Sequence, residues 1–127
     1  MATRMAEAVA QYAARAGLSV AAVVLDRQGA VLSTSAANAS ALDDATRKAY
    51  TALMYGVSTH ELKAGTRPLW RQPDEIDAER VMLAPGGYPI IEGVETLGAV
   101  GVAGASSQQD LLCCQAAVGA RLAALSH

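Results

Sequence analysis

Residues 97–104 read Leu-Gly-Ala-Val-Gly-Val-Ala-Gly, and the reading of this segment decides the fold. The glycines have the spacing G-x-x-G-x-x-G. That is not the G-x-G-x-x-G of a dinucleotide loop, and no Gly-Lys-Ser/Thr follows it. Gly98 and Gly101 fall inside an apolar run, where glycine marks close approach by a neighbouring backbone or ligand. The segment therefore reads as a buried strand over 97–103, which argues against a phosphate loop. Only Gly104, Ala105 and Ser106 remain as an anion-accepting corner, because a helix follows them. Ser107-Gln108-Gln109-Asp110 has the pattern of a capping box, with Asp110 closing it, and opens a helix that runs to about Leu125.

Working back from this segment, residues 88–91 form a second strand joined to it by a turn around Gly93, and residues 81–84 a third, joined through Pro85-Gly86-Gly87. Residues 68–77 hold the single Trp and two prolines and read as a long loop of the kind that borders a site. Ser58-Thr59-His60-Glu61 caps a short helix ending near Gly65. Ser40-Ala41-Leu42-Asp43 caps a longer one ending at about Gly56. Residues 19–25 (SVAAVVL) and 30–34 flank Asp26-Arg27-Gln28-Gly29, which is a hairpin with suitable turn chemistry. Residues 3–16 place Met5, Val9, Tyr12, Ala13 and Ala16 on one helical face, and Gly17 stops the helix. The expected fold is α+β: one domain over 1–127, with an antiparallel five-stranded sheet flanked by helices. The order is α-β-β-α-(α)-β-β-β-α.

Length and composition fit that reading. A chain of 127 residues holds one normal core. Hydrophobic residues make up 52%, yet there is no Phe, so the apolar content is mostly Ala, Val and Leu. Small side chains let elements approach closely, and such packing often continues across subunits, so a homo-oligomer is expected. The formal net charge is −2 with no basic run, which argues against nucleic acid. No apolar stretch is long enough to span a membrane, and Arg4, Glu7, Gln11 and Arg15 interrupt any signal-peptide core. The expected location is the cytoplasm. Cys113 and Cys114 are adjacent, which suits neither a disulfide on a helix nor a zinc site, and they read as small core side chains.

Chemistry has few places to reside. Arg47, Lys48, Thr51 and Tyr55 share an arc of about 100° on the helix over 43–56. The arc is either a solvated face or the wall of a pocket for an acidic ligand, closed by Gly86, Gly87 and Tyr88. His60 is the one internal histidine, and a lone histidine beside Glu61 does not make a metal site.

Several ordered segments together resemble the GlcG/HbpS-like haem-binding family, which includes the C-terminal domain of PduO-type corrinoid adenosyltransferases. They are VLDRQGAV (24–31), RKAYTALMYGVSTHEL (47–62), PGGYPIIEG (85–93) and LGAVGVAGASSQQD (97–110). Lys48, Thr51, Thr59, Gly86, Gly87, Pro89, Gly98, Gly101, Gly104 and Asp110 match the family's pattern. The resemblance implies a helix-flanked antiparallel sheet, self-assembly, and in some members haem as ligand. His60 is then the candidate axial ligand. The chain departs from the pattern after the second strand, where 35–39 reads Ser-Ala-Ala-Asn-Ala in place of an Arg-Met-Asp-like stretch, and in lacking an N-terminal-helix histidine. The leading expectation is a small-molecule-binding protein, with haem or another tetrapyrrole as ligand, in a pocket between the polar arc and the 85–88 turn. The alternative is a cofactor-independent isomerase or lyase acting on a small organic acid. There Arg47 or Lys48 would hold a carboxylate, while His60, Glu92 or Tyr88 would move a proton. A third reading is an accessory subunit without its own chemistry.

Overall fold

In the computed structural model, which describes residues 2–35, 38–65, 76–92 and 95–125, eight main elements follow one another. They are α1 (Ala2–Ala16), β1 (Ala21–Asp26), β2 (Val31–Ser35), α2 (Ala39–Tyr55), α3 (Thr59–Lys63), β3 (Gly87–Glu92), β4 (Glu95–Ala103) and α4 (Ser107–Leu125). A 3-10 turn at Ala78–Arg80 precedes β3. The strands form one antiparallel sheet in the order β2-β1-β4-β3. Sequence alternation explains the layers on either side. From β1 and β4, Ala22, Val24, Val100 and Val102 face α1 and α4, meeting Met5, Val9, Cys113, Cys114 and Ala117. Ala21, Val23, Leu25, Ala99 and Ala103 face α2, meeting Ala41, Ala45, Ala49, Ala52 and Leu53.

The segment at 97–104 lies where its composition puts it. β4 is paired on both edges, with β1 from Ala21↔Ala103 to Asp26↔Gly98 and with β3 through Gly87↔Gly101. Its α2-facing positions are Ala99, Gly101 and Ala103. A Cβ at Gly101 would collide with the carbonyl oxygen of Ala45 and lie 2.7 Å from the nitrogen of Ala49. Close helix approach is thus the reason for this glycine. The hairpin at 26–29 also forms, with Asp26 Oδ1 accepting from the backbone of Gln28 and Ala30 at 2.9 Å each. α1 and α2 end on Gly17 and Gly56 in the left-handed conformation.

Three expectations need correction. Among the described residues the sheet has four strands and not five, because 81–84 is not a strand. Two of its backbone groups meet α2 instead: the Met82 N–H donates to Thr51 Oγ1 at 2.9 Å, and the Val81 carbonyl lies 3.5 Å from Arg47 Nη2. The cap of α2 is Asn38, whose side chain accepts from Ala41 N at 2.8 Å, two residues before the expected Ser40. The capping box of α4 is Ser106 with Gln109: Gln109 N donates to Ser106 Oγ (3.2 Å) and Ser106 N to Gln109 Oε1 (3.1 Å). Asp110 is therefore free for another partner. The loop expected at 68–77 lies outside the described residues up to 75, and so does the turn at Gly93.

No helix among the described residues is long and apolar enough to cross a membrane. Both cysteines are fully buried, and burial pushes each thiol up from its ordinary value. A raised thiol holds little thiolate at pH 8. A thiol reagent such as DTNB is expected to leave both sulfurs untouched in the native protein and to titrate two in urea. Rapid reaction of either in the native state would show that α4 opens.

Candidate functional site

The polar arc of α2 forms, but it faces protein. Arg47 Nη2 donates to the carbonyls of Glu79 (3.1 Å) and Val81. Thr51 Oγ1 donates to the Arg47 carbonyl (2.8 Å) and accepts from Met82. Lys48 is buried, its ammonium donating to the Val102 carbonyl (3.0 Å) and to Asp110 Oδ2 (2.9 Å). The second carboxylate oxygen of Asp110 accepts from Ala105 N at 3.0 Å. This pair ties α2 to the start of α4 past the end of β4. The predicted anion corner at Gly104, Ala105 and Ser106 is thus already supplied with a carboxylate from the chain itself.

Gly86 and Gly87 fit tightly into the same assembly. A Cβ on Gly86 would sit 2.6 Å from the Val102 carbonyl oxygen, and one on Gly87 would sit 2.5 Å from the Lys48 carbonyl oxygen. Thr59 Oγ1, fully buried, accepts the Gly87 N–H at 3.0 Å. The arc and the 85–88 turn are packed directly on each other, and Lys48 lines none of the three grooves described below. The organic-acid reading needed Lys48 and Tyr88 on one cavity. The structure puts Lys48 in the interior and Tyr88 at an outer groove.

That groove has a volume of about 330 Å³ and lies against the outer strand β3, lined by Gly56, Val57, Ser58, Glu61, Tyr88, Pro89 and Ile91. His60 stands beside it, its ring centroid 5.5 Å from that of Tyr88 and tilted by 54°. Its Nε2 is 3.5 Å from the Ser58 hydroxyl, and its Nδ1 is buried without any hydrogen-bond partner. Tyr88 is steadied by α4, since Gln115 Nε2 donates to its hydroxyl at 3.2 Å. Of the sequence candidates, the groove region collects His60 and Tyr88. Glu92 is exposed at the far end of β3, opposite Glu95, and Tyr55 is half-buried at the end of α2. Sequence reasoning missed Pro89, Ile91 and Gln115 as parts of this surface. The alternation along β3 could have flagged the first two, whereas Gln115 has no local signal.

A second groove, about 390 Å³, runs between α2 and the 3-10 turn and is lined by Asp43, Thr46, Arg47, Asp77, Glu79 and Arg80. A third, about 220 Å³, lies between the end of α1 and the sheet near Ser35. Among the described residues, no group of three or more His, Cys, Asp and Glu side chains could hold a metal ion.

Comparison with known proteins gives a consistent answer. The family model described as haem degrading protein HbpS-like matches residues 1–119. An uncharacterized 15.0 kDa protein from the dhaT-dhaS intergenic region of Citrobacter freundii is 31% identical over 123 residues, spanning 92% of this chain and 86% of that one. Among solved structures, the Klebsiella pneumoniae protein ORFY superposes with a TM-score of 0.83 at 30% identity, covering 96% of this chain and 88% of the other. A double-mutant form of HbpS from Streptomyces reticuli gives 0.77 at 29% identity, with 93% and 82% covered. A structure described as a PduOC:heme complex shares the fold with a TM-score of 0.79 at 23% identity, covering 93% and 89%.

Proposed function

The chain belongs to the HbpS-like family, and from that premise we propose that it binds a flat macrocyclic ligand, haem in the first instance, at the groove beside His60 and Tyr88. The observation that carries this reading is the unpartnered Nδ1 of His60. A buried polar atom without a partner is costly, and a ligand that engages it removes that cost. The single contact on the other nitrogen, at 3.5 Å, is too long to hold the ring firmly. The imidazole can therefore turn toward a ligand without breaking a good hydrogen bond.

The residues present fit the group. A histidine nitrogen is a standard axial donor to haem, and Val57, Tyr88, Pro89 and Ile91 offer an apolar wall to one face of a macrocycle. Haem, when bound, supplies an iron centre for oxygen or electron-transfer chemistry. This chain's own part is to position it. His60 provides the donor, and Gln115 fixes the Tyr88 hydroxyl. At about 330 Å³ the groove is near the lower limit for small-molecule sites, so it covers one side of such a ligand and does not enclose it.

Titrating hemin into the protein is expected to give a saturable Soret shift at micromolar concentration. His60→Ala is expected to abolish that shift while leaving the far-UV circular dichroism unchanged. An unaltered Soret band with the variant would remove His60 from the site, and no saturable shift with the parent protein would sink the haem reading.

Self-association is part of the same proposal. Val31, Leu32, Leu83, Ile91 and Leu112 are large apolar side chains left exposed on the single chain, and burying such surface favours oligomers. Light scattering at micromolar protein is expected to report a multiple of the chain mass. A monomeric mass would contradict it.

A further inference from the structure

The groove between α2 and the 3-10 turn has an arrangement of charge that the macrocycle reading does not use. Five of its six lining residues are charged, yet among the described residues none of the five is ion-paired. Asp43 and Arg47 are four residues apart on a helix, a spacing that ordinarily pairs them. Arg47 instead gives Nη2 to the carbonyls of Glu79 and Val81. Arg80 lays its guanidinium over the face of Tyr50, 3.9 Å from the ring centroid. Tyr50 is itself buried and fixed, its hydroxyl accepting from Asp77 N at 2.8 Å. Both guanidinium groups are thus held by neutral partners, and those contacts leave other N–H donors for a ligand. A guanidinium has five N–H groups in a rigid fork matched to a carboxylate.

We propose that this groove binds a small carboxylate bearing a hydroxyl or amino group, its carboxylate on Arg47 and Arg80 and its donor group on Asp43 or Glu79. The surrounding carboxylates set the selectivity. Three acidic side chains repel a multiply charged anion such as phosphate and reward a ligand that brings a hydrogen-bond donor. A simple carboxylate such as acetate meets the guanidinium groups but leaves the acids unanswered. The site is separate from the His60 groove and does not depend on what that groove binds.

Arginine side-chain NMR on the intact chain tests this with L-lactate, L-serine, acetate and inorganic phosphate as probes. Lactate or serine is expected to shift the Nε–Hε signals of Arg47 and Arg80 saturably, with a dissociation constant of about 1 mM or below. Acetate and phosphate are expected to bind at least about tenfold more weakly. Arg80→Gln and Arg47→Lys should each weaken the better probe by about tenfold or more, since the fork geometry is lost in both. Arg80→Gln should leave a hemin titration unchanged, which separates the two grooves. The proposal is overturned by no saturable shift with lactate or serine, by equal binding of acetate or phosphate, or by full binding in Arg80→Gln.

Discussion

A Lys48→Met variant is expected to lose about 3–5 kcal/mol of folding stability, the cost of breaking a buried ion pair from one side. The Lys48 and Asp110 side chains are only 5% and 4% exposed, so water cannot replace the lost partner. Without the ammonium, the Asp110 carboxylate keeps only the Ala105 N–H, and the Val102 carbonyl loses its contact with Lys48. The loss reaches three elements, because the pair joins α2, the end of β4 and the first turn of α4. With an m-value of about 2 kcal/mol per M, the urea midpoint should fall by roughly 2 M. The double variant Lys48→Met with Asp110→Leu removes both charges together and is expected to recover most of the loss. Single variants that lose under about 1 kcal/mol would show that the pair is hydrated in solution and does not act as a clamp.

This pair also marks the boundary of what the sequence could disclose. Most features set by neighbours along the chain were legible, namely the Asp26–Gly29 turn, the stops at Gly17 and Gly56, and the apolar period of α1. The caps of α2 and α4, however, fall two residues and one residue before the serines that the spacing suggests. Features set by distant partners were not. Asp110 looked like a cap because its spacing from Ser107 fits one, and nothing local points to an ammonium 62 residues away. Residues 81–84 have a strand's composition, but their hydrogen bonds go to Arg47 and Thr51 on α2. The polar arc was itself correctly located on α2, and only its burial depended on the 79–87 segment lying over it. For the candidate site the balance is similar. His60 and Tyr88 stood out as residue types, while their meeting across α3 and β3 is a product of the fold.

The second large effect is expected at Gly101, where the segment at 97–104 meets α2. Gly101→Ala is expected to cost about 3 kcal/mol or more, at the upper end for overpacking a core. The added methyl would collide with the Ala45 carbonyl oxygen, and it would lie 2.7 Å from the Ala49 nitrogen and 3.0 Å from the Ala49 Cβ. Two of these three obstacles are helix backbone, which no rotamer change can move. Gly101 has no positive φ, so the penalty is steric and contains no backbone strain. Relief requires α2 to back away from β4, and α2 also holds Lys48, Thr51 and Arg47 in their contacts. The double variant Gly101→Ala with Ala49→Gly tests this cause, because it clears the Ala49 methyl but neither backbone obstacle. It should regain little, whereas recovery of most of the stability would place the conflict at the side chain. Gly119→Ala is the matched control: nothing lies within 4 Å of its added Cβ, and it sits exposed within α4. There the same substitution should stabilise the protein by up to about 1 kcal/mol, since alanine is the better helix former. Opposite signs at Gly101 and Gly119 would show that helix approach, and not glycine's flexibility, makes Gly101 necessary.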